Sequence, residues 1–310
     1  MFDALGLGEC LIDFIPGMEP FTYHANPGGA VANVMAMMAR LGSKTAFIGK
    51  IGDDDFGHLL AERLQTFGVD TTSLVWSKKY PTTLAIVQMR LDGDREYLFY
   101  RKRSADVMLK SDQVDDDKIL NTRLFHFGSL SLSDEPSRSA TLMSLEFAKE
   151  RGCLVSFDPN YRSFLWDSPE SAISEILAVM PQVDIVKLSL NELRLITGEN
   201  EADVAARTLL SLGPKLILVT MGPAGSTYYT TELQGLVATP EVEVVDTVGA
   251  GDAFFGAFLA QFLKENYRLE ELSDEVLGRL LEFANRAAAL STTKAGAMAA
   301  LPSREEIENW

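Results

Sequence analysis

The run Asp246-Thr247-Val248-Gly249-Ala250-Gly251-Asp252 continues directly into Ala253-Phe254-Phe255-Gly256-Ala257-Phe258-Leu259. Two glycines around one alanine let the backbone take angles that side chains forbid. The apolar, small-residue stretch after them predicts a buried helix. Gly249, Ala250 and Gly251 therefore stand where a helix begins. The first N–H groups of a helix lack partners within it and point out of its positive end. With only small residues around it, that end is open to an anion such as a phosphate. Asp252 lies beside this anion hole, where a carboxylate repels phosphate unless it has a task. A task that fits is accepting a proton from a hydroxyl as that oxygen attacks a phosphoryl group. The competing reading is a helix-capping aspartate after a glycine turn. The paired Asp246 and Asp252 and the length of the run weigh against it.

The chain has 310 residues, enough for one large domain or two small ones. It is 46% hydrophobic and 23% charged, the balance of an ordinary soluble globule. The formal charge is 28 − 44 = −16. Nucleic acid and anionic membrane surfaces require a basic face, so neither is expected as a partner. ATP is compatible with this charge, because local dipoles and a few cations hold phosphates. Cys10 and Cys153 alone make no disulfide framework or zinc site, and a reducing cytoplasm is the expected compartment. The start Met1-Phe2-Asp3-Ala4-Leu5 lacks a basic segment, so no signal peptide is expected. No uncharged apolar run approaches the about 20 residues needed to span a bilayer. His24, His58 and His126 are scattered without metal-ligand spacing.

Residues 4–15 predict a first strand, with Asp13 near its end. Strand ends gather binding residues in α/β proteins, and they are also where solvated carboxylates sit. Gly6-Leu7-Gly8 is no dinucleotide fingerprint, because Leu11 occupies the third glycine position. Gly28 and Gly29 open a helix over Ala30–Arg40, with Asn33 one turn inside. A buried Asn needs hydrogen-bond partners, which a sugar hydroxyl or the backbone can supply. Helix follows at 57–68. Strand-like runs at 82–90 and 95–101, joined by Asp92-Gly93-Asp94, predict a hairpin that projects as a lid. A lid over a phosphoryl-transfer site excludes competing water. From residue 120 the pattern alternates. Strands at 124–128, 153–157, 184–188 and 215–220 are separated by helices at about 137–151, 169–180 and 201–212, with a last helix at about 273–290. Alternation of this kind predicts parallel strands with helices on both faces. Asn160 and Arg162 follow one strand end, where they reach a phosphate or substrate hydroxyl or simply solvent. The acidic stretch 112–117 reads as a solvated loop and helix start.

The C-terminal run, Gly28-Gly29 with Asn33, and Phe47-Ile48-Gly49-Lys50-Ile51-Gly52-Asp53-Asp54-Asp55-Phe56-Gly57 resemble the two signatures of the ribokinase-like (PfkB) carbohydrate kinases. The likeness spans nearly the whole chain and is nearest to fructokinases. Val31, Met35 and Ser189 depart from the usual pattern. The resemblance implies a three-layer α/β/α fold over 1–310, with a mostly parallel central sheet and a discontinuous β lid from 12–26 and 81–105. It implies ATP and Mg²⁺, with Glu192 holding magnesium through water, and K⁺ at Asp246 and Val248 as activator. Ser189, Thr220, Gly222, Gly225, Gly251 and Asn285 fall at nucleotide positions, and Tyr100 and Arg101 at lid positions facing the sugar. Asp252 with Gly249–Gly251 and Arg162 then forms the catalytic set, and Asp13, Gly28, Gly29, Asn33 and Asn160 hold the sugar. D-fructose is the implied acceptor. The alternative is 2-keto-3-deoxygluconate, suggested by Lys102 and Arg103, followed by a nucleoside kinase or a non-catalytic sugar sensor. Leu84, Ile86, Val87, Leu98 and Phe99 are more apolar surface than a free hairpin exposes, so a homodimer through the lid is expected.

Overall fold

The computed structural model describes residues 1–17, 19, 21–89 and 95–310. The Asp92-Gly93-Asp94 turn lies outside the described residues. The strands are β1 (Phe2–Leu7), β2 (Leu11–Pro16), β3 (Tyr23–Gly28), β4 (Thr45–Gly52), β5 (Leu74–Ser77), β6 (Leu84–Met89), β7 (Arg95–Tyr100), β8 (Thr122–Gly128), β9 (Leu154–Asp158), β10 (Ile185–Ser189), β11 (Leu216–Thr220), β12 (Ser226–Tyr229) and β13 (Gln234–Val237). The helices are α1 (Ala30–Arg40), α2 (Asp55–Phe67), α3 (Asp116–Leu120), α4 (Ser137–Glu150), α5 (Pro169–Val179), α6 (Leu190–Thr197), α7 (Ala202–Leu210), α8 (Ala250–Lys264), α9 (Asp274–Ser291) and α10 (Arg304–Glu308).

Among the described residues, nine strands form one sheet in the order β13-β12-β11-β10-β9-β8-β1-β4-β5. The seven from β11 to β5 run parallel, and β12 and β13 add an antiparallel edge. Successive residues of the central strands face opposite ways, and both faces are buried. Ala4, Leu124, Ile185 and Leu216 pack toward α1, α8 and α9, while Leu5, Phe125, Val186 and Ile217 pack toward α4, α6 and α7. This two-sided burial makes the strands read as unbroken apolar runs. The fold is the ribokinase-like α/β/α arrangement.

Residues 4–15 differ from the single strand expected. The chain breaks at Gly8-Glu9-Cys10, leaving β1 in the large sheet and sending β2 into a second sheet. That smaller sheet has the order β3-β2-β6-β7, with β2 and β6 parallel and the other pairs antiparallel. The hairpin of β6 and β7 is therefore not free, because β2 covers one edge. Val87 is buried and Ile86 half-buried, while among the described side chains of β7 Leu98 and Tyr100 are left open, at 47% and 59% exposure. The apolar excess is thus smaller than the sequence suggested, because alternate residues face inward.

Helices α1 and α8 cross closely. A Cβ added at Gly256 would stand 2.6 Å from the Met37 Cβ and 2.9 Å from the Val34 carbonyl oxygen. Around this crossing Met35, Phe254, Phe255 and Phe258 are fully buried. Interiors packed this tightly do not absorb an extra methyl without strain. Gly256→Ala should lower stability by about 1–3 kcal/mol. The check is a urea titration, in which the midpoint falls and the m-value holds.

Candidate active site

A cleft of about 430 Å³ opens between the two sheets, beyond the C-terminal ends of β1, β9 and β10. Binding crevices of open α/β sheets occur at such strand ends. The small sheet contributes Leu11, Asp13 and Phe99 to it, and α1 contributes Ala30 and Asn33 after Gly29. The β1, β9 and β10 ends contribute Glu9, Asn160, Arg162 and Lys187, and the start of α8 contributes Thr247, Val248, Gly249, Gly251 and Asp252.

Gly249 is the N-cap of α8, at φ 78, and no side chain caps this helix. The Ala250 N–H is turned back onto the Thr247 carbonyl at 3.3 Å. The first-turn N–H groups of Gly251 and Asp252 have no acceptor within their own helix. The Lys187 Nζ lies 2.7 Å from where a Cβ on Gly251 would be. A side chain at 251 would occupy the lysine's place, so the second glycine lets an ammonium group approach the helix end. Lys187 is buried and donates to Asp158 Oδ2 at 2.8 Å. The sequence carried a signal for it, since a lysine inside the apolar run Ile185-Val186-Lys187-Leu188 needs a partner when buried.

Asp252 lies in the first turn of α8, and its Oδ2 accepts from Asn33 Nδ2 at 2.7 Å. Burial pushes its carboxyl up to about 6, opposed chiefly by the Lys187 charge. Asp13 is pushed up to about 7, again by burial, with Arg162 opposing and Asp252 adding to the rise. Gly28 leaves room for it, because a Cβ there would fall 2.3 Å from Asp13 Oδ2. Asn33 Oδ1 is buried with no partner among the described residues. The site thus holds carboxylates with raised affinity for protons and an acceptor with no partner, facing two cations.

Other expected residues lie elsewhere. Arg101 does not face the cleft. It is buried, donating from Nε to Asp106 at 2.7 Å, from Nη1 to Ser133 at 2.7 Å and from Nη2 to the Leu130 carbonyl at 2.8 Å. An arginine entering a largely buried position needs such partners, and Asp106 is the one that neutralises it. Tyr100 alternates outward on β7, while its neighbour Phe99, which was not expected, reaches the cleft and packs against Phe164 with ring centroids 5.1 Å apart. Asn285 is buried away from the cleft: it accepts from Ser226 at 3.0 Å and donates to the Val237 carbonyl at 3.0 Å, tying α9 to β12 and β13. Lys102 and Arg103 are exposed and do not line the cleft.

Glu192 caps α6 together with Ser189. Its Oε2 accepts from the Ser189 N–H at 2.8 Å and hydroxyl at 2.7 Å, and its Oε1 from the Tyr161 N–H at 2.7 Å. No group of three acidic, His or Cys side chains able to hold a metal occurs among the described residues. A lone, hydrogen-bonded carboxylate fits a magnesium ion that keeps its waters and arrives on phosphate oxygens, not an all-protein cage. Asp246 is buried and accepts from the Val248 and Gly296 N–H groups at 2.9 Å each. Its charge, held beside a loop rich in carbonyls, suits a monovalent cation. Thr220 ends β11 and Gly222 and Gly225 follow it, all three outside the cleft itself.

The model of the pfkB family carbohydrate kinases matches residues 2–304. A probable fructokinase-2 of Arabidopsis thaliana is 44% identical over 307 residues, covering 97% of this chain and 93% of that protein. Fructokinase-1 of Zea mays is 43% identical over 311 residues, covering 98% and 96%. The crystal structure of Xylella fastidiosa fructokinase with bound ATP superposes with a TM-score of 0.93 at 32% identity, covering 100% of this chain and 98% of that one. A double mutant of Vibrio cholerae O395 fructokinase, bound to fructose, ADP and potassium, gives 0.91 at 30% identity, covering 99% and 98%. No helix of the structure is long and apolar enough to cross a membrane. A match across nearly the whole length, with Asp252 at the open end of α8, places the chain in the pfkB family of carbohydrate kinases, phosphotransferases with an alcohol acceptor.

Proposed function

We propose that this chain is an ATP-dependent fructokinase that phosphorylates a terminal hydroxyl of D-fructose. The observation that carries the reading is the buried Asp252, bonded to Asn33 and standing where α8 and Lys187 converge. Asp13, Gly29, Asn33 and Asn160 surround the sugar, and the partnerless Asn33 Oδ1 accepts from one of its hydroxyls. Asp252 takes the proton of the attacking hydroxyl. The N–H groups at the start of α8 and the Lys187 ammonium stabilise charge on the transferring phosphoryl group, and Arg162 faces it from the β9 side. Leu11, Phe99 and Leu130 line the remaining wall with apolar surface, and the small sheet serves as a lid that keeps water out.

ATP lies along the ends of β10 and β11, by Ser189, Thr220, Gly222 and Gly225. Glu192 holds Mg²⁺ through water, and the ion screens the phosphate charge when bound. The loop of Asp246 and Val248 takes K⁺, which steadies the N–H groups facing the phosphate. A neutral ketose suits the cleft better than 2-keto-3-deoxygluconate. Arg101 is held by Asp106, and Lys102 and Arg103 do not line the cleft, so among the described side chains the lid brings no cation to a substrate carboxylate.

Purified protein should release ADP fastest with fructose in a panel including 2-keto-3-deoxygluconate and nucleosides, and faster in potassium than in tetramethylammonium buffer. A preference for the acid sugar overturns the acceptor, and equal rates in the two buffers remove the cation role.

Asp252→Asn should cut turnover by roughly two to four orders of magnitude while ATP binding survives. Only the ionised carboxylate accepts a proton, so wild-type kcat/KM should fall as pH drops through about 6. Lys187 lowers the Asp252 pKa, so Lys187→Met should move this limb to higher pH as well as slowing the reaction. A limb that stays in place in Lys187→Met separates it from Asp252.

The open face of the small sheet, with Leu98 and Tyr100, pairs with its counterpart in a second copy of the chain. Light scattering at micromolar concentration should give a dimer mass, and Leu98→Lys should give a monomer. A monomeric wild type rules the pairing out.

A further inference from the structure

We propose that Glu9 is a positioning residue: its carboxyl group is the N-cap that α1 lacks, and through that helix end it sets Gly29 and the Asn33–Asp252 contact. The proposal rests on the kinase reading of the same site. Most helices here that have a side-chain cap take it from the residue just before them. Ser168, Ser189, Ser273 and Ser303 cap α5, α6, α9 and α10, and Asp54 and Asp115 cap α2 and α3. At α1 this is blocked. The N-cap residue is Gly29, at φ 110, and has no side chain to offer. A Cβ there would fall 2.5 Å from the Glu9 carbonyl oxygen and 3.0 Å from the Cys10 Cα, so no residue with a side chain fits.

Glu9 meets the need from 21 positions away. Its Oε1 accepts from the Ala30 N–H at 2.7 Å, and the residue is only 2% exposed. The same helix turn continues to the base. The Asn33 N–H donates to the Gly29 carbonyl at 2.8 Å, and the Asn33 side chain donates to Asp252 at 2.7 Å. Glu9 therefore stands three contacts from the group that takes the proton. An N-cap acceptor holds a helix end that would otherwise fray, and fraying here displaces Gly29 and Asn33 together. The other oxygen, Oε2, is buried with no partner among the described residues. Burial pushes the carboxyl up to about 7, opposed by its own and the Ala30 backbone N–H groups and by Arg101.

The test compares Glu9→Met, which fills the space without an acceptor, with Glu9→Gln, which restores one. Both remove the same ionisable group. The other charged and titratable groups along the path are Arg101, Asp106 and Cys10 near Glu9, Asp13 and Asp246 beyond it, and Lys187, Asp158 and Arg162 around Asp252. All of them are common to the two variants, so a difference between the variants reports the cap. Glu9→Met should lower kcat/KM for fructose by about ten- to a hundred-fold, as a displaced catalytic contact does, with KM for ATP little moved. Glu9→Gln should rescue most of that loss. The Asn33 hydrogen bond holds the Asp252 pKa down, so the acid limb of kcat/KM should lie at higher pH in Glu9→Met than in Glu9→Gln. Equal rates and coincident limbs in the two variants overturn the proposal. Should Glu9→Met fail to give a cooperative thermal melt, Glu9→Gln against wild type decides: a loss beyond about ten-fold overturns it and a smaller loss supports it. A wild-type chain whose ADP release no sugar of the panel stimulates overturns the kinase reading and this proposal with it, whereas an active wild type with indistinguishable variants overturns the proposal alone.

Discussion

The hydrogen bond from Asn33 to Asp252 joins residues 219 positions apart and ties together the two helices that begin at the cleft. The same two helices cross with almost no space between them at Gly256. The crossing in turn requires the phenylalanine-rich, charge-poor surface of α8, which explains why that helix is apolar nearly all round. Both helices begin with a glycine, which removes side chains from the two positive ends that point into the cleft. Packing in the core and openness at the site are thus two aspects of one arrangement.

The electrostatics of the cleft follow from its depth. Three carboxylates, Glu9, Asp13 and Asp252, are removed from water and all shift toward the neutral form. Lys187 and Arg162 oppose the shift at Asp252 and Arg162 at Asp13, while Arg101 opposes it at Glu9. Each of the three therefore keeps its proton to a higher pH than a carboxyl in water does. In a chain of net charge −16, a helix end and two cations give this cleft a local field of the opposite sign.

Much of the fold was legible because its periodicities are clean. Helix Ala30–Arg40 has the bounds expected, and β8 to β11 lie within two residues of them. The short β12 and β13 carry no strong alternation and were not anticipated. At the site, Asp13, Gly29, Asn33, Asn160, Arg162 and Asp252 come together as local pattern suggested. Arg101 and Asn285 do not line the cleft: Arg101 is held by nearby Asp106 and by Leu130 and Ser133 about thirty residues on, and Asn285 by β12 and β13, contacts that only the fold brings together. Glu9 and Lys187 were missed for the opposite reason. Glu9 looks like an ordinary strand-end charge until the topology shows that it is buried, and Lys187 was signalled only by its place inside an apolar run.

Helix α1 carries Met35, Met37 and Met38, all fully buried, and its close partner on one side is α8. On the ribosome these two helices are made far apart in time. At about 5–20 residues per second, the 219 positions between Asn33 and Asp252 take roughly ten to forty seconds to synthesise. For that interval the methionine-rich face of α1 has no α8 to cover it, and Asn33 has no Asp252 to bond. The contact between the two helices is therefore a late event in translation.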